Sequence, residues 1–147
     1  MYHLALRIAT KAHKDQYRWD KKTPYITHPI AVSTTVDAVE AKVVALLHDV
    51  VEDTDISLED LGTYFSHHII MYVDALTKRA GEEYVTYLNR VAEHYVSTEV
   101  KIADIRHNLS QGLKKGSMRD KYLLAIEYLL LQRSMISEEE AEKLSKI

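Results

Sequence analysis

A chain of 147 residues can hide roughly two thirds of its unfolded surface, and 46% hydrophobic with 28% charged residues is the balance of a packed globule, not a disordered segment. The net charge of −3 argues against duplex DNA or another nucleic-acid polymer as the main partner, because such binding is driven by many Lys and Arg contacts to phosphate; a small anionic ligand stays open. With no cysteine there is neither a disulfide framework nor a thiolate metal site.

Helical periodicity runs through most of the chain. Leu4, Ala5, Ile8, Ala9 and Ala12 recur at three and four residues, predicting an amphipathic helix that ends near Gln16. Nothing in MYHLALRIATKAHK is apolar enough for a signal peptide, and no segment approaches the roughly 20 apolar residues of a membrane helix, so a cytoplasmic protein without membrane attachment is expected. The loop QYRWDKKT follows, and Pro29 suits the first turn of a second helix carrying Ile30, Ala31, Val32 and Val36. A third helix, from about Glu40 to Glu52, is nearly all apolar in KVVALLHDVV and should be the central one. Ser57 with Asp60, and Ser137 with Glu140, read as capped helix starts. Between them helices are expected near 66–78, 82–94, 98–109 and 119–131, with breaks at Gly81, Gly112 and Gly116. With no repeat, low-complexity segment or linker, the reading is one all-α domain over residues 1–147, closing on a solvated helix in SEEEAEKLSKI.

The stretch LLHDVVEDTD sets His48, Asp49, Glu52, Asp53 and Asp55 into an otherwise apolar run. On one helix His48 and Glu52, and Asp49 and Asp53, lie a turn apart, giving a polar patch on a buried face. Burying unpaired ions costs several kcal/mol each, so a compensating charge is needed, and a metal ion supplies it while accepting imidazole and carboxylate together. His28 in PYITHP and Asp104 in VKIADIRHN are candidate ligands from elsewhere, making a mixed nitrogen and oxygen set suited to one Mn²⁺, ahead of Fe²⁺ or Zn²⁺. Plain structural readings stand beside these: a satisfied surface pair for His48 and Asp49, a backbone-bonded imidazole for His28, and a salt bridge to Lys101 for Asp104. Arg18, Lys21, Lys22 and Lys101 could neutralise phosphates, although Lys21 and Lys22 individually read as solvated surface. Trp19, Tyr25, Tyr84 and Tyr87 could line a base pocket or simply pack. The exposed helix-start pair His67 and His68 is a weaker candidate for a second metal.

The order AHKDQYR, PYITHP, LLHDVVEDT, LTKRAGEEY and VKIADIRHN resembles the HD-domain hydrolases, specifically the hydrolase domain of the RelA/SpoT family and its small stand-alone relatives, from about Ala12 to Asn108. The resemblance implies a helical HD fold with one Mn²⁺ held by His28, His48, Asp49 and Asp104. It further implies that Glu52 and Asp53 sit beside the attacking water, that Arg18 lies against guanine and that Asn108 helps hold the nucleotide. The implied reaction removes the 3′-pyrophosphate of ppGpp or pppGpp, leaving GDP or GTP; with no synthetase domain following, alarmone synthesis is not expected. Two other readings remain: an HD nucleotidase or phosphodiesterase acting on another nucleotide, and a non-catalytic nucleotide-binding module.

Overall fold

Val43, Val44, Ala45, Leu46 and Leu47 are each 1% exposed or less, because other helices pack around the C-terminal half of the helix that carries them. A computed structural model describes the backbone of residues 1–112 and 116–146. Its helices are α1 (Tyr2–Ala12), α2 (Thr27–Thr34), α3 (Val39–Leu47), α4 (Val50–Asp53), α5 (Leu58–Gly62), α6 (His67–Ala75), α7 (Tyr84–Ala92), α8 (Tyr95–Ser110) and α9 (Gly116–Ser145). The enclosed helix is α3, packed by α1, α2, α6 and α8. Ala5 and Ala9 give α1 a small-residue face toward this core. The described residues form an all-helical fold whose β-type pairing is a single bridge between Tyr17 and Pro24. None of their helices is long and apolar enough to cross a membrane.

The helix expected from about Glu40 to Glu52 is in fact two, α3 and α4, parted at His48 and Asp49. In a continuous helix the carbonyl of Ala45 would accept from the N–H of Asp49. Here the His48 ring reaches that carbonyl at 2.5 Å, and Asp49 takes φ −103°, ψ −3°. The polar patch is also less buried than its apolar neighbours suggest: His48 is buried, Asp49 is intermediate, and Glu52, Asp53 and Asp55 are exposed.

At Ser57 the capping box is present in full, with Ser57 Oγ accepting from the Asp60 N–H and the Asp60 carboxylate accepting from the Ser57 N–H. Ser66 caps α6 in the same way on one side. The helix start expected at Ser137 is overridden, since the backbone of α9 continues through it. Gly81 and Gly112 end their segments at φ +73° and +76°, the left-handed region where a Cβ is strained.

Candidate metal centre and active site

Three separate parts of the chain meet at one point. His28 comes from the first turn of α2, which Pro29 helps start; His48 and Asp49 come from the break before α4; Asp104 comes from the buried face of α8. His28 Nε2 lies 2.7 Å from Asp104 Oδ1 and 3.9 Å from Asp49 Oδ2. His48 Nε2 lies 3.0 Å from Asp49 Oδ2 and 3.3 Å from Asp104 Oδ1. One donor atom from each of the four residues falls within 4.8 Å of the others.

Every one of these side chains is also held from behind. His28 Nδ1 meets His107 Nδ1 at 2.7 Å, and His48 Nδ1 donates to the Ala45 carbonyl, so both rings turn Nε2 inward. Tyr25 Oη donates to Asp49 Oδ2 at 2.6 Å, and Lys101 Nζ donates to Asp104 Oδ2 at 2.9 Å. Two imidazole nitrogens and two carboxylates, each backed by an outer partner, are the donor chemistry of a divalent first-row ion, and the outer partners are what such a site needs to fix its ligands. On that chemistry the residues fit a metal.

The electrostatics point the same way. Burial alone would push the Asp49 carboxyl up, but His48 beside it, by charge and hydrogen bond, holds it down at about 2. Burial opposes charge on His48, yet Asp49 and Asp104 raise its imidazole well above the ordinary range. Asp104, despite burial, is held well below the carboxylate range, first by Lys101. The carboxylates thus favour positive charge at this spot, whether a metal ion or a proton on His48. A divalent ion competes with protons for its imidazole and carboxylate ligands, so its affinity should rise with pH. Calorimetric titration in buffers of differing ionisation enthalpy checks this: the expected result is a heat that varies with buffer, showing proton release.

The remaining expected site residues arrange around the cluster. Glu52 lines a cavity of about 190 Å³ together with His48, Asp49, Lys78, Lys101 and Lys121, and its Oε2 accepts from the Lys78 N–H at 3.2 Å. Asp53 is exposed at its surface, yet loss of solvation beside the cluster, then the charges of Asp49 and Glu52, push its carboxyl up to about 6. Arg18 is only 8% exposed; its guanidinium lies 4.2 Å from the Trp19 ring centroid and donates to Asn108 Oδ1 at 2.8 Å. The loop that carries Arg18 is ordered by Asp20, whose carboxylate accepts from the N–H groups of Lys22 and Thr23. Lys21 and Lys22 are exposed.

Some expectations are not gathered in. His67 and His68 sit exposed at the start of α6, with ring centroids 6.3 Å apart, and belong to no metal-binding cluster among the described residues. Sequence reasoning missed Lys78 and Lys121 as cavity residues, and missed His107 and Tyr25 as partners of the cluster. His107 had a usable signal: it lies three residues after Asp104, on the same flank of α8. A larger cleft of about 370 Å³ lies between α2, α8 and α9, but its lining, including Thr35, Arg106 and Arg133, lacks the converging ligand set.

Fold and cluster together define a protein that is helical over its described residues and gathers a largely buried set of two His and two Asp side chains that fits a divalent cation. The chain belongs to the HD domain family, whose model matches residues 5–110. It is 32% identical over 119 residues to the guanosine-3′,5′-bis(diphosphate) 3′-pyrophosphohydrolase MESH1 of Danio rerio, covering 71% of this chain and 64% of that one. The like-named enzyme of Borreliella burgdorferi is 40% identical over 78 residues, half of this chain. The chain spans only 12% of that bacterial relative. A solved structure described as a metazoan ortholog of SpoT that hydrolyzes ppGpp and plays a role in starvation responses superposes with a TM-score of 0.72, at 27% identity, over 89% of this chain and 84% of that one.

Proposed function

We propose that this chain is a metal-dependent phosphohydrolase that removes the 3′-pyrophosphate of ppGpp or pppGpp, with Mn²⁺ as the ion ahead of Fe²⁺ or Zn²⁺. The observation that carries the reading is the meeting of His28, His48, Asp49 and Asp104 beside a cavity lined by three lysines and Glu52. The likeness to ppGpp hydrolases supports the choice of substrate. A small guanine nucleotide is also the kind of anionic ligand left open by the net charge, and it fits a cytoplasmic setting.

Held by those four residues, a divalent ion supplies Lewis-acid charge that acidifies water toward neutrality and polarises a phosphoryl oxygen. The protein's own groups do the rest. Lys78, Lys101 and Lys121 line the cavity beside the cluster and offer positive charge to the pyrophosphate. Arg18, held by Trp19 and Asn108, is the guanidinium assigned to the guanine base, which would have to reach it past the Trp19 ring it now lies against. Asp53, titrating at about 6, accepts a proton from water near neutral pH, with Glu52 beside it to orient that water. Water adds to the phosphorus bonded to the 3′ oxygen, that P–O bond breaks, and the 3′ oxygen leaves with a proton. Lys101 is committed to Asp104 in this structure, so its part is to hold that carboxylate as well as to face phosphate.

The test is turnover of purified protein with Mn²⁺ and a panel of ppGpp, pppGpp, GTP, deoxynucleoside triphosphates and mononucleotides. Pyrophosphate released from ppGpp is the expected result. Phosphate from mononucleotides alone would move the reading to another nucleotide, and binding without turnover would move it to a sensor module.

A further inference from the structure

Of the four residues in the cluster, three are backed by ordinary partners: a backbone carbonyl for His48, a tyrosine hydroxyl for Asp49 and an ammonium for Asp104. His28 is backed by a second imidazole. Its Nδ1 lies 2.7 Å from Nδ1 of His107, with the rings inclined by only 26° and their centroids 4.9 Å apart. Two ring nitrogens this close must share one hydrogen, since two bare lone pairs or two N–H groups would repel.

The direction of that hydrogen bond decides what His28 can do at its other edge. A neutral imidazole that offers the lone pair of Nε2 to a cation carries its proton on Nδ1, and that proton needs an acceptor. With no cation bound, Nε2 lies 2.7 Å from an Asp104 carboxylate that can only accept, so Nε2 carries a proton here and a neutral His28 accepts from His107; a bound cation requires the reverse. We propose that His107 is a positioning residue for the cation site: when a cation replaces the proton between His28 Nε2 and Asp104, His107 accepts at Nδ1, so that His28 takes the tautomer that offers its Nε2 lone pair while the ring orientation seen here is kept. The inference rests on the reading of His28 as a metal ligand. One helix then controls two parts of the site, because Asp104 and His107 both stand on α8, one turn apart. Displacing α8 would move a ligand and another ligand's support together.

The experiment uses the full chain with Zn²⁺ as a diamagnetic probe, titrated against a chromophoric chelator, alongside long-range ¹H–¹⁵N spectra of the histidine rings. In the Zn²⁺-loaded wild type His28 should carry its proton on Nδ1. His107→Leu, which removes the acceptor, should weaken Zn²⁺ binding by about 10- to 100-fold. His107→Asn, whose Oδ1 can stand close to the lost Nδ1, should recover most of that affinity. Unchanged affinity in His107→Leu overturns the proposal, as does an equal loss in a folded His107→Asn. Should the leucine variant not fold, the wild-type spectrum decides, because a proton on Nε2 of loaded His28 overturns the proposal directly. A wild type that binds no Zn²⁺ overturns the metal reading and this inference with it, whereas normal wild-type binding with an insensitive His107 overturns this inference alone.

Discussion

Asp104→Ala is expected to abolish pyrophosphate release from ppGpp and to lower the melting temperature of the metal-free protein as well. Two separate consequences follow from one carboxylate facing two ways. Through Oδ1 it meets both His28 and His48, so its loss removes a donor and the contact that aims two others. The effect on metal affinity should exceed the roughly 100-fold that removal of an outer partner produces. Through Oδ2 it neutralises Lys101, whose side chain is only 14% exposed. Truncation therefore leaves a largely enclosed ammonium without its partner, which costs about 3 kcal/mol for a buried pair. Asp104→Asn separates the two effects. It retains the shape and one hydrogen-bonding oxygen but not the charge, so it should lose activity nearly as completely while the folded ring contacts survive better. Chelator-competition binding and thermal unfolding, measured on both variants, check this; an alanine variant that still turns over ppGpp at the wild-type rate sinks the metal reading.

The plain reading of Asp104 as the salt-bridge partner of Lys101 and the functional one as a metal ligand looked like alternatives in the sequence. They are compatible, because Oδ2 takes Lys101 and leaves Oδ1 facing His28 and His48. The central helix was legible from its unbroken apolar run, as was the cap at Ser57, where hydroxyl and carboxylate stand at the needed spacing. The break at His48 was not, because it arises from a side chain taking a carbonyl that periodicity assigns to the backbone. Nor did an apolar neighbourhood in sequence mean burial for Glu52 and Asp53, which lie beyond the break and face solvent. Long-range partners were hardest to see. His28 and His107 are 79 positions apart and Tyr25 and Asp49 are 24 apart, and no local pattern couples them. The stop after α8 was readable from Gly112, but Gly116, expected as a break before a helix near 119–131, is the first residue of α9, and the cap signature at Ser137 lost to a helix already propagating through it.

Asp53→Asn is expected to cut the rate of ppGpp hydrolysis by about 10²- to 10⁴-fold, the range for losing a positioned general base. The pH profile should change with it. Asp53 is raised to about 6 by burial and by its neighbours Asp49 and Glu52, so its proton-accepting carboxylate form is present above that pH and is lost below it. Wild-type activity should therefore fall tenfold per pH unit on the acid side. A bound cation nearby favours the carboxylate, which places that limb at or below about pH 6. The asparagine variant should lack the limb. Stability moves in the opposite direction. A carboxyl whose folded value is raised above 3.8 favours the native state only while it is protonated, and that contribution is lost as pH rises through about 6. At neutral pH the ionised Asp53 is thus a burden on the metal-free fold, set against the charges of Asp49 and Glu52. Asparagine removes the repulsion, so chelator-treated Asp53→Asn should melt no lower than wild type at pH 7, with any advantage shrinking toward zero near pH 4. A variant that is inactive yet undiminished in stability is the pattern of a group kept for chemistry at a cost to the fold. An inactive variant that also melts early at pH 7 would instead make Asp53 a structural support, and the task of accepting the proton would pass to Glu52.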